Sequence, residues 1–497
     1  MHILQVLHNL ASLQTLVLTT FGTLLGIALG AAPGLNGPIG VALLLPLTYG
    51  LEPADGLLML GGIYMGSTYG GSISAILLNC PGTGEASCTA LDGYPMARQG
   101  RPRAALLFSI VSSSFGGLLG VAALIFLTPV LARIALKFGP PEMLAVALAG
   151  LSIVGSLSGK RLGRAMFAVA FGVLLSLVGP NITGGGFRFT MGIRDMRGGI
   201  SLIPVVVGLF AITEMAMLLA PQAQNILTFK EEKTSVWSAI RETFSHYRTL
   251  IWCSLLGLGI GILPGTGGAV AAFVSYGEAR RTAKNPEQFG NGAPEGIIGP
   301  ESANNAAVGG SLVPLLALGI PGSATAAIIY GALTIHNLIP GPSLLVDNAE
   351  IAYTFMLGML LTVFVMFLCG VYGVRLFAAV LKVPQVYLVS AVLVFTTIGV
   401  YSVRNSFFDL VLCFVFGALG IVFRKVGVPA APILLGHILG PLVVENLSRC
   451  FTLAKAQGSS LPAYILMRPI SLVMLGVLAL LLYTNFKTFL KKKPKTA

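Results

Sequence analysis

Charge is scarce in this chain. One residue in ten of its 497 is Asp, Glu, Lys or Arg, where a soluble domain carries about a quarter. With 55% of residues hydrophobic and a mean hydropathy of +0.86, an ordinary water-soluble protein is excluded. Histidine is also rare: His2, His8, His246, His336 and His437 stand apart from one another. No H-E-x-x-H, G-x-S-x-G or Walker A pattern occurs. That removes the usual signatures of zinc peptidases, serine hydrolases and ATP-driven pumps, and the chain does not read as an enzyme. Cys80, Cys88, Cys253, Cys369, Cys413 and Cys450 form no metal-ligand spacing and read as buried packing residues. The net charge of +13 is not matched by an aromatic-interleaved basic patch, so no nucleic-acid partner is expected. Lys and Arg are instead expected in the cytoplasmic loops of a membrane protein.

What the chain does have is apolar length. Hydrophobic segments recur near 13–32, 57–78, 104–127, 165–179, 200–220, 249–263, 296–319, 351–370, 386–400, 407–423, 428–444 and 466–486. They predict roughly 10–12 spans at the usual helix rise. The dyad alternation of a membrane barrel is missing, so the fold class is all-α, a polytopic integral membrane protein whose environment is the lipid bilayer. The first apolar run has no Lys or Arg before it. Cleavage at the A-x-A-like stretch Ala28–Gly30 would destroy the motif described next, so the segment reads as a retained span. Lys487, Lys491, Lys492, Lys493 and Lys495 follow the last span and predict a cytoplasmic C-terminus.

Two of the apolar runs carry the same interruption. Leu25–Gly37 reads LGIALGAAPGLNG and Leu256–Gly268 reads LGLGIGILPGTGG, both fitting G-x-x-P-G-x-x-G. Each is followed by a G-G-S step, and then by L-x-x-P-G-S/T at Leu78–Thr83 and Leu318–Ser323. Pro and Gly halt a helix, and backbone freed in hydrocarbon must be satisfied by protein or by a watery cavity. Matched breaks in two halves point to the binding site of a solute carrier built from discontinuous helices. The predicted organisation is a first membrane repeat over 1–220, a polar link over 221–248, a second repeat over 249–445, and a terminal span with a basic tail over 446–497. Within the second repeat, 351–445 is more uniformly apolar and reads as scaffold. In the link, Trp237, Ile240, Phe244 and Tyr247 recur at helical spacing, either as an amphipathic surface helix or as a solvated connector.

The loop charges reverse between the halves. Glu52 and Asp55 lie between the first pair of breaks, with Arg98, Arg101 and Arg103 after it. Arg280, Arg281 and Lys284 lie between the second pair, and 324–350 holds no Lys or Arg. Under the positive-inside rule, equivalent loops face opposite sides and the repeat is inverted.

Asn36, Thr83, Thr266 and Ser323 are candidate N-caps, so four helix starts should point into the membrane interior with unpaired N–H groups. That environment suits carboxylates; the competing reading is that the breaks are packing kinks. The residues expected to bind an anion are Gly34, Asn36, Gly37, Asn79, Pro81, Gly82, Thr83, Gly265, Thr266, Gly267, Gly319, Pro321, Gly322 and Ser323. Glu301, Ser302, Asn304 and Asn305 follow Pro300 and form the candidate ion-coupling group. If the helix begins there, Glu301, Asn304 and Asn305 share a face and could hold Na+, or Glu301 could exchange a proton. A capping role for Glu301 competes with both. No other cofactor is expected. The segment Leu91–Ala97 reads as an architectural turn.

At these motifs the sequence resembles the large membrane subunit of the tripartite tricarboxylate transporters. The match runs through Gly62–Tyr64, Tyr69–Ser72, Ile76–Gly82, Leu91–Ala97, Pro264–Gly268, Phe289–Ala293, Pro300–Asn305, Leu318–Ser323 and Ile339–Pro342, within roughly 20–440. Cys80 before Pro81 is a minor departure. The resemblance implies a secondary transporter of the bacterial inner membrane. It would work with a small four-span membrane subunit and a periplasmic solute-binding protein, importing citrate-like tricarboxylates or other organic carboxylates by symport with Na+ or H+. The alternative, a membrane enzyme acting on a lipid-linked substrate, requires paired catalytic groups that the sequence does not present.

Overall fold

A computed structural model describes residues 2–32, 35–157, 162–181, 185–218, 234–373 and 385–472, with short pieces at 475–476 and 478–479. Pro33, Gly34, residues 221–233 of the polar link and the basic tail lie outside the described residues. The first half contains α1 (His2–Ala11), α2 (Leu13–Ala31), α3 (Gly37–Leu44), α4 (Pro53–Leu78) and α5 (Thr89–Arg98). It continues with α6 (Pro102–Ala135), α7 (Pro140–Leu157), α8 (Leu162–Ser176), α9 (Leu202–Val206) and α10 (Thr213–Leu218). Then follow α11 (Val236–Ser245), α12 (Tyr247–Ile262), α13 (Gly267–Thr282), α14 (Glu295–Leu318), α15 (Ala324–Ile335) and α16 (Leu344–Asp347). The last are α17 (Ala349–Tyr372), α18 (Gln385–Arg404), α19 (Phe407–Val426), α20 (Ala430–Ala456) and α21 (Leu461–Leu466). Among the described residues, strand is limited to a two-residue pairing of Gly179–Pro180 with Phe187–Arg188. The protein is all-α.

Five helices, α2, α6, α17, α19 and α20, are long and apolar enough to cross a bilayer. Two more, α4 with 26 residues and α14 with 24, are buried along nearly their whole length and carry the polar residues of both halves. At the helical rise α4 reaches about 39 Å, enough to span. Helix α14 begins before Pro300, at Glu295, and runs through Pro300 and Pro314.

Glycine sets how closely these helices approach. A methyl group on Gly22, Gly26 or Gly30 of α2 would fall 2.2, 2.6 or 2.2 Å from the carbonyl oxygens of Met59, Ile63 and Ser67 on α4. In the second half, Gly257 and Gly261 of α12 stand 2.1 and 2.6 Å by the same measure from those of Ala303 and Ala307 on α14. Such small-residue seams let membrane helices pack without a hydrophobic driving force. Aligned on the P-G-T/S loops, Ile63 matches Ala303 and Ser67 matches Ala307, so the two seams are equivalent residue by residue.

The registers also give direction. Positions on α2 and α4 rise together, so these helices run parallel. Beyond the break, Gly37 lies against Ser67, Gly40 against Ile63, and Thr48 beside Gly56, so α3 and the turn after it run back along α4. Helices α2 and α3 therefore form a re-entrant hairpin rather than one interrupted span. The second half repeats this. Cys253 donates to the Ser275 carbonyl at 3.6 Å, and the Trp252 indole N–H donates to Glu278 at 3.2 Å, placing α13 antiparallel beside α12.

Helix α6 runs antiparallel to α4, with the Ser72 and Ser109 hydroxyls 2.6 Å apart and Gly117 beside Met65. It runs parallel to α14, with Gly116 against Ser302 and Gly120 against Ala306. The equivalent helices α4 and α14 thus point in opposite directions: the repeat is inverted. At one end of the bundle Gln99 donates to the Asn291 carbonyl at 2.8 Å and Arg101 pairs with Glu242 at 3.7 Å, so both basic loops meet there. At the other end lie the Thr15–Asp55 bond at 2.6 Å and the Asn9–Glu350 bond at 2.8 Å.

Of the expected link helix, α11 is described. Trp237 is exposed, while Phe244 sets its ring edge-on to Phe115 at 5.9 Å. Helix α17 packs in the centre, with Gly61 against Phe355 and Met359 and Gly370 against Ile110. Helices α8, α9, α19 and α20 form an outer group, joined where Gly172 meets Ile433 and Gly208 meets Cys413. Helix α20 continues past residue 445 to Ala456.

Candidate functional site

The two P-G-T/S loops have one backbone design. Helix α4 ends at Asn79 in the left-handed region, φ 53°, and α14 ends at Gly319, φ 73°. Cys80 N donates to Ser74 O at 3.4 Å and Gly82 N to Gly71 O at 3.3 Å. Ile320 N donates to Pro314 O at 3.2 Å and Gly322 N to Ser311 O at 3.1 Å. Thr83 then accepts from Ala86 N at 3.3 Å, and Ser323 from Ala326 N at 3.1 Å. Each loop folds back toward the tip of its own hairpin. A methyl group on Gly82 would lie 1.9 Å from Gly30 O, and one on Gly322 2.2 Å from Gly261 O. These two glycines exist for backbone contact, not to leave room for a ligand.

Hairpin tips and loops from both halves enclose a cavity of about 110 Å³. Asn36, Gly37, Pro38, Thr83, Glu85 and Ala269 line it, with Tyr64, Thr68, Gly84 and Thr325. Asn36 caps α3, its Oδ1 accepting from Ile39 N at 3.2 Å. The Tyr64 hydroxyl crosses between halves to Ser323 Oγ at 2.8 Å and Ser311 Oγ at 3.1 Å. Among the described residues no Lys or Arg lines the cavity, so the favourable potential for an anion comes from the backbone starts of α3, α13 and α15.

Of the residues expected there, Asn36, Gly37 and Thr83 line this space, and Ser323 touches it through Tyr64. Gly34 lies outside the described residues. Asn79 is an exposed helix end, and Gly319 plays the same part for α14. Pro81, Gly82, Pro321 and Gly322 belong to the loop backbone behind the cavity. Gly265 and Gly267 take φ 74° and 66°, which the turn into α13 requires. Thr266 is not the cap expected of it. Its hydroxyl turns back to Leu263 O at 2.9 Å, holding the end of α12 instead. The break at Thr83 opens a single 3-10 turn, Glu85–Ser87, before α5 begins at Thr89.

The ion-coupling candidates are all buried. Glu301 accepts from the hydroxyls of Thr89 on α5 and Ser113 on α6. Ser302 bonds back to Gly299 O at 3.0 Å. Asn305 Nδ2 donates to Glu301 O at 3.1 Å and to Asn304 Oδ1 at 2.7 Å, leaving Asn304 Nδ2 and Asn305 Oδ1 without partners. Among the described residues no hydrogen bond joins the Glu301 carboxylate to either amide side chain. Among the described residues no cluster of three His, Cys, Asp or Glu side chains could hold a metal. Asn304 is nonetheless informative: the loop alignment makes it the counterpart of Tyr64.

Sequence reasoning missed Tyr64, Thr68 and Glu85. A lone acidic residue three positions beyond a Pro-Gly break in a nearly uncharged stretch was the available signal for Glu85. The segment Leu91–Ala97, expected as a turn, lies instead inside helix α5 (Thr89–Arg98), where it ties the two halves together. Asp92 Oδ1 accepts from the amides of Gly290, Gly292 and Ala293 at 2.8, 2.9 and 2.8 Å, and Oδ2 accepts from Tyr276 Oη at 2.9 Å.

Two inverted re-entrant hairpins around a cavity lined from both halves define a multi-pass membrane protein of the transporter kind. The chain belongs to the Tripartite tricarboxylate transporter TctA family, which it matches over residues 16–435. It is 36% identical over 434 residues to an uncharacterized 52.8 kDa protein in the TAR-I ttuC' 3'region of Agrobacterium vitis, covering 87% of this chain and 86% of that one. It is also 38% identical over 200 residues to an uncharacterized protein in the TAR-II ttuC' 3'region of the same organism, covering 40% of this chain and 83% of that one. No solved structure matches. The family is one of transporters, which speaks against an enzyme.

Proposed function

We propose that this chain is the permease of a secondary transporter that imports a tricarboxylate or related organic carboxylate across the bacterial inner membrane. Substrate is delivered by a periplasmic binding protein, and a small four-span subunit completes the assembly. The observation that carries the reading is the cavity at the meeting point of hairpin tips and loops from both halves. It offers backbone N–H groups and neutral hydroxyls without a buried Lys or Arg, which suits an anion that must leave again. The inverted repeat supplies two arrangements of equal backbone design, one opening to each side. The C-terminal tail faces the cytoplasm.

Import of an anion against a negative-inside potential costs about 2.3 kcal/mol per charge per 100 mV. A co-transported Na+ or H+ offsets that cost, since no ATP motif is present. The test is uptake of radiolabelled citrate into liposomes containing the full chain with its partner subunits. Uptake should require an imposed Na+ or H+ gradient. Uptake that survives collapse of both gradients, or no uptake of any carboxylate tried, overturns the reading.

A further inference from the structure

We propose that Glu85 shares the cavity with a carboxylate group of the substrate and holds a proton between the two. The inference rests on the carboxylate-transport reading and names the residue through which a proton enters the cycle. Glu85 reaches from the first P-G-T loop across to the tip of the second hairpin. Its Oε1 lies 2.7 Å from where a side chain on Gly268 would begin, so the space it occupies exists because Gly268 has none. It lines the cavity with Asn36, Tyr64, Thr68 and Thr83, and among the described residues none is hydrogen-bonded to its carboxyl. Its counterpart in the second half is Thr325, which lines the same cavity and cannot ionise.

The ionisable groups around it are few. Helix α4 presents Tyr64, α14 presents Glu301, and the turn that follows Glu85 presents Cys88. Helix α13 presents only Gly268 and Ala269 at this level, and Asp92 further along α5 is occupied by the 290–293 amides. Glu301 is already held by Thr89 and Ser113 and is fully buried. An anionic ligand in about 110 Å³ beside Glu85 therefore meets a second carboxylate with no cation between them. Two carboxylates sharing one site take up a proton. Glu85 as the acid donates its O–H to the substrate carboxylate; the proton is taken from the outer side and released with the substrate on the inner side.

The full chain with its partner subunits is reconstituted in liposomes, and radiolabelled citrate uptake is measured against external pH alongside internal acidification. Wild type should lose apparent affinity by about tenfold per pH unit above the titration of Glu85, after subtraction of the slope in Glu85→Gln. That subtraction removes the titration of citrate itself. Glu85→Gln should import one proton fewer per citrate, and Glu301→Gln should keep the wild-type count. A Glu85→Gln protein with wild-type slope and proton count overturns the proposal. Should that variant fail to fold, citrate is added to detergent-purified wild type in weak buffer. Uptake of about one proton per citrate beyond the citrate's own requirement is expected, and none overturns it. Absence of any carboxylate uptake by wild type overturns the transport reading as well, and so is distinguishable from failure of the Glu85 assignment alone.

Discussion

The two hairpins, α2–α3 and α12–α13, are built on one backbone plan and diverge in side chains where the cavity lies. Gly30 meets Ser67 as Gly261 meets Ala307, and Gly82 meets Gly30 as Gly322 meets Gly261. At the counterpart positions, however, Tyr64 faces Asn304, Glu85 faces Thr325, and Asn36 faces Gly267. The shared part consists of backbone contacts and glycines, which set the geometry of a structure that can exist in two mirrored arrangements. The divergent part consists of hydrogen-bonding and ionisable groups. Architecture is thus symmetric while recognition is not.

The largest expected effect comes from breaking the shared part. Gly30→Val or Gly261→Val would drive a branched side chain into the Ser67 or Ala307 backbone, 2.2 and 2.6 Å from the first added carbon. We expect a loss of about 3 kcal/mol or more, read as failure to accumulate folded protein or as a collapsed melting temperature in detergent. Gly259→Ala, on the same helix but with nothing within 4 Å, is the control and should melt no lower than wild type.

Next is the Asp92 latch, at the end where both basic loops meet. Asp92→Ala leaves three amides and the Tyr276 hydroxyl unpaired, at about 1–3 kcal/mol for each buried group left unsatisfied. Faster proteolysis of the 283–294 link should follow. An unchanged cleavage rate would show that the two halves are held there by other contacts.

Smaller changes sharpen the asymmetry. Tyr64→Phe removes the hydroxyl joining the first half to Ser311 and Ser323. It should raise the apparent KM for substrate by roughly fivefold, equal to a net hydrogen bond of about 1 kcal/mol, with little change in melting. Asn304→Ala should also raise KM but by a different factor; equal effects would argue that the site is symmetric after all. Thr83→Ala and Ser323→Ala each remove a cap worth about 1 kcal/mol, and circular dichroism melts should show comparable losses in the two halves.

The smallest effect is a pH dependence at the end where both basic loops gather. His246 Nδ1 lies 2.9 Å from Glu295, and that hydrogen bond raises the His246 pKa above its ordinary value. The stabilisation is fully present below about pH 6.5, the unfolded value, and is lost as pH rises through the folded value. Because the pair is partly exposed, a few tenths of a kcal/mol is expected. A melting temperature that falls slightly from acid to alkaline pH in wild type but not in His246→Ala would agree; the same slope in both proteins would not.

Much of this was legible in the sequence because Pro and Gly act locally. Breaks at Pro264–Gly265, Asn79–Thr83 and Gly319–Ser323 were placed from residue type alone, and the reversed loop charges gave the inversion. The direction taken after a break was not legible. Whether α3 continues across the membrane or returns depends on Gly37 and Gly40 finding Ser67 and Ile63, which are distant in sequence. The returning arms α3, α13 and α15, with 8, 16 and 12 residues, fall short of a span and escape any search for apolar runs. That Gly82 and Gly322 pack against the carbonyls of Gly30 and Gly261 was not legible either, because what a glycine faces is a tertiary fact. Tyr64 stands in the sequence only as the end of a family block and Glu85 only as a lone acidic residue; their shared place on one cavity wall is a tertiary fact.

The central claim is that one cavity at the junction of the halves opens to each side in turn. In a chain with its six cysteines replaced, Ala269→Cys places a thiol in the cavity wall. Labelling of this thiol by a membrane-impermeant reagent, from each side of oriented vesicles and with or without citrate, tests the claim most directly. The account predicts labelling from both sides, suppressed by citrate on either one. Labelling from one side alone, with citrate giving no protection, would contradict it.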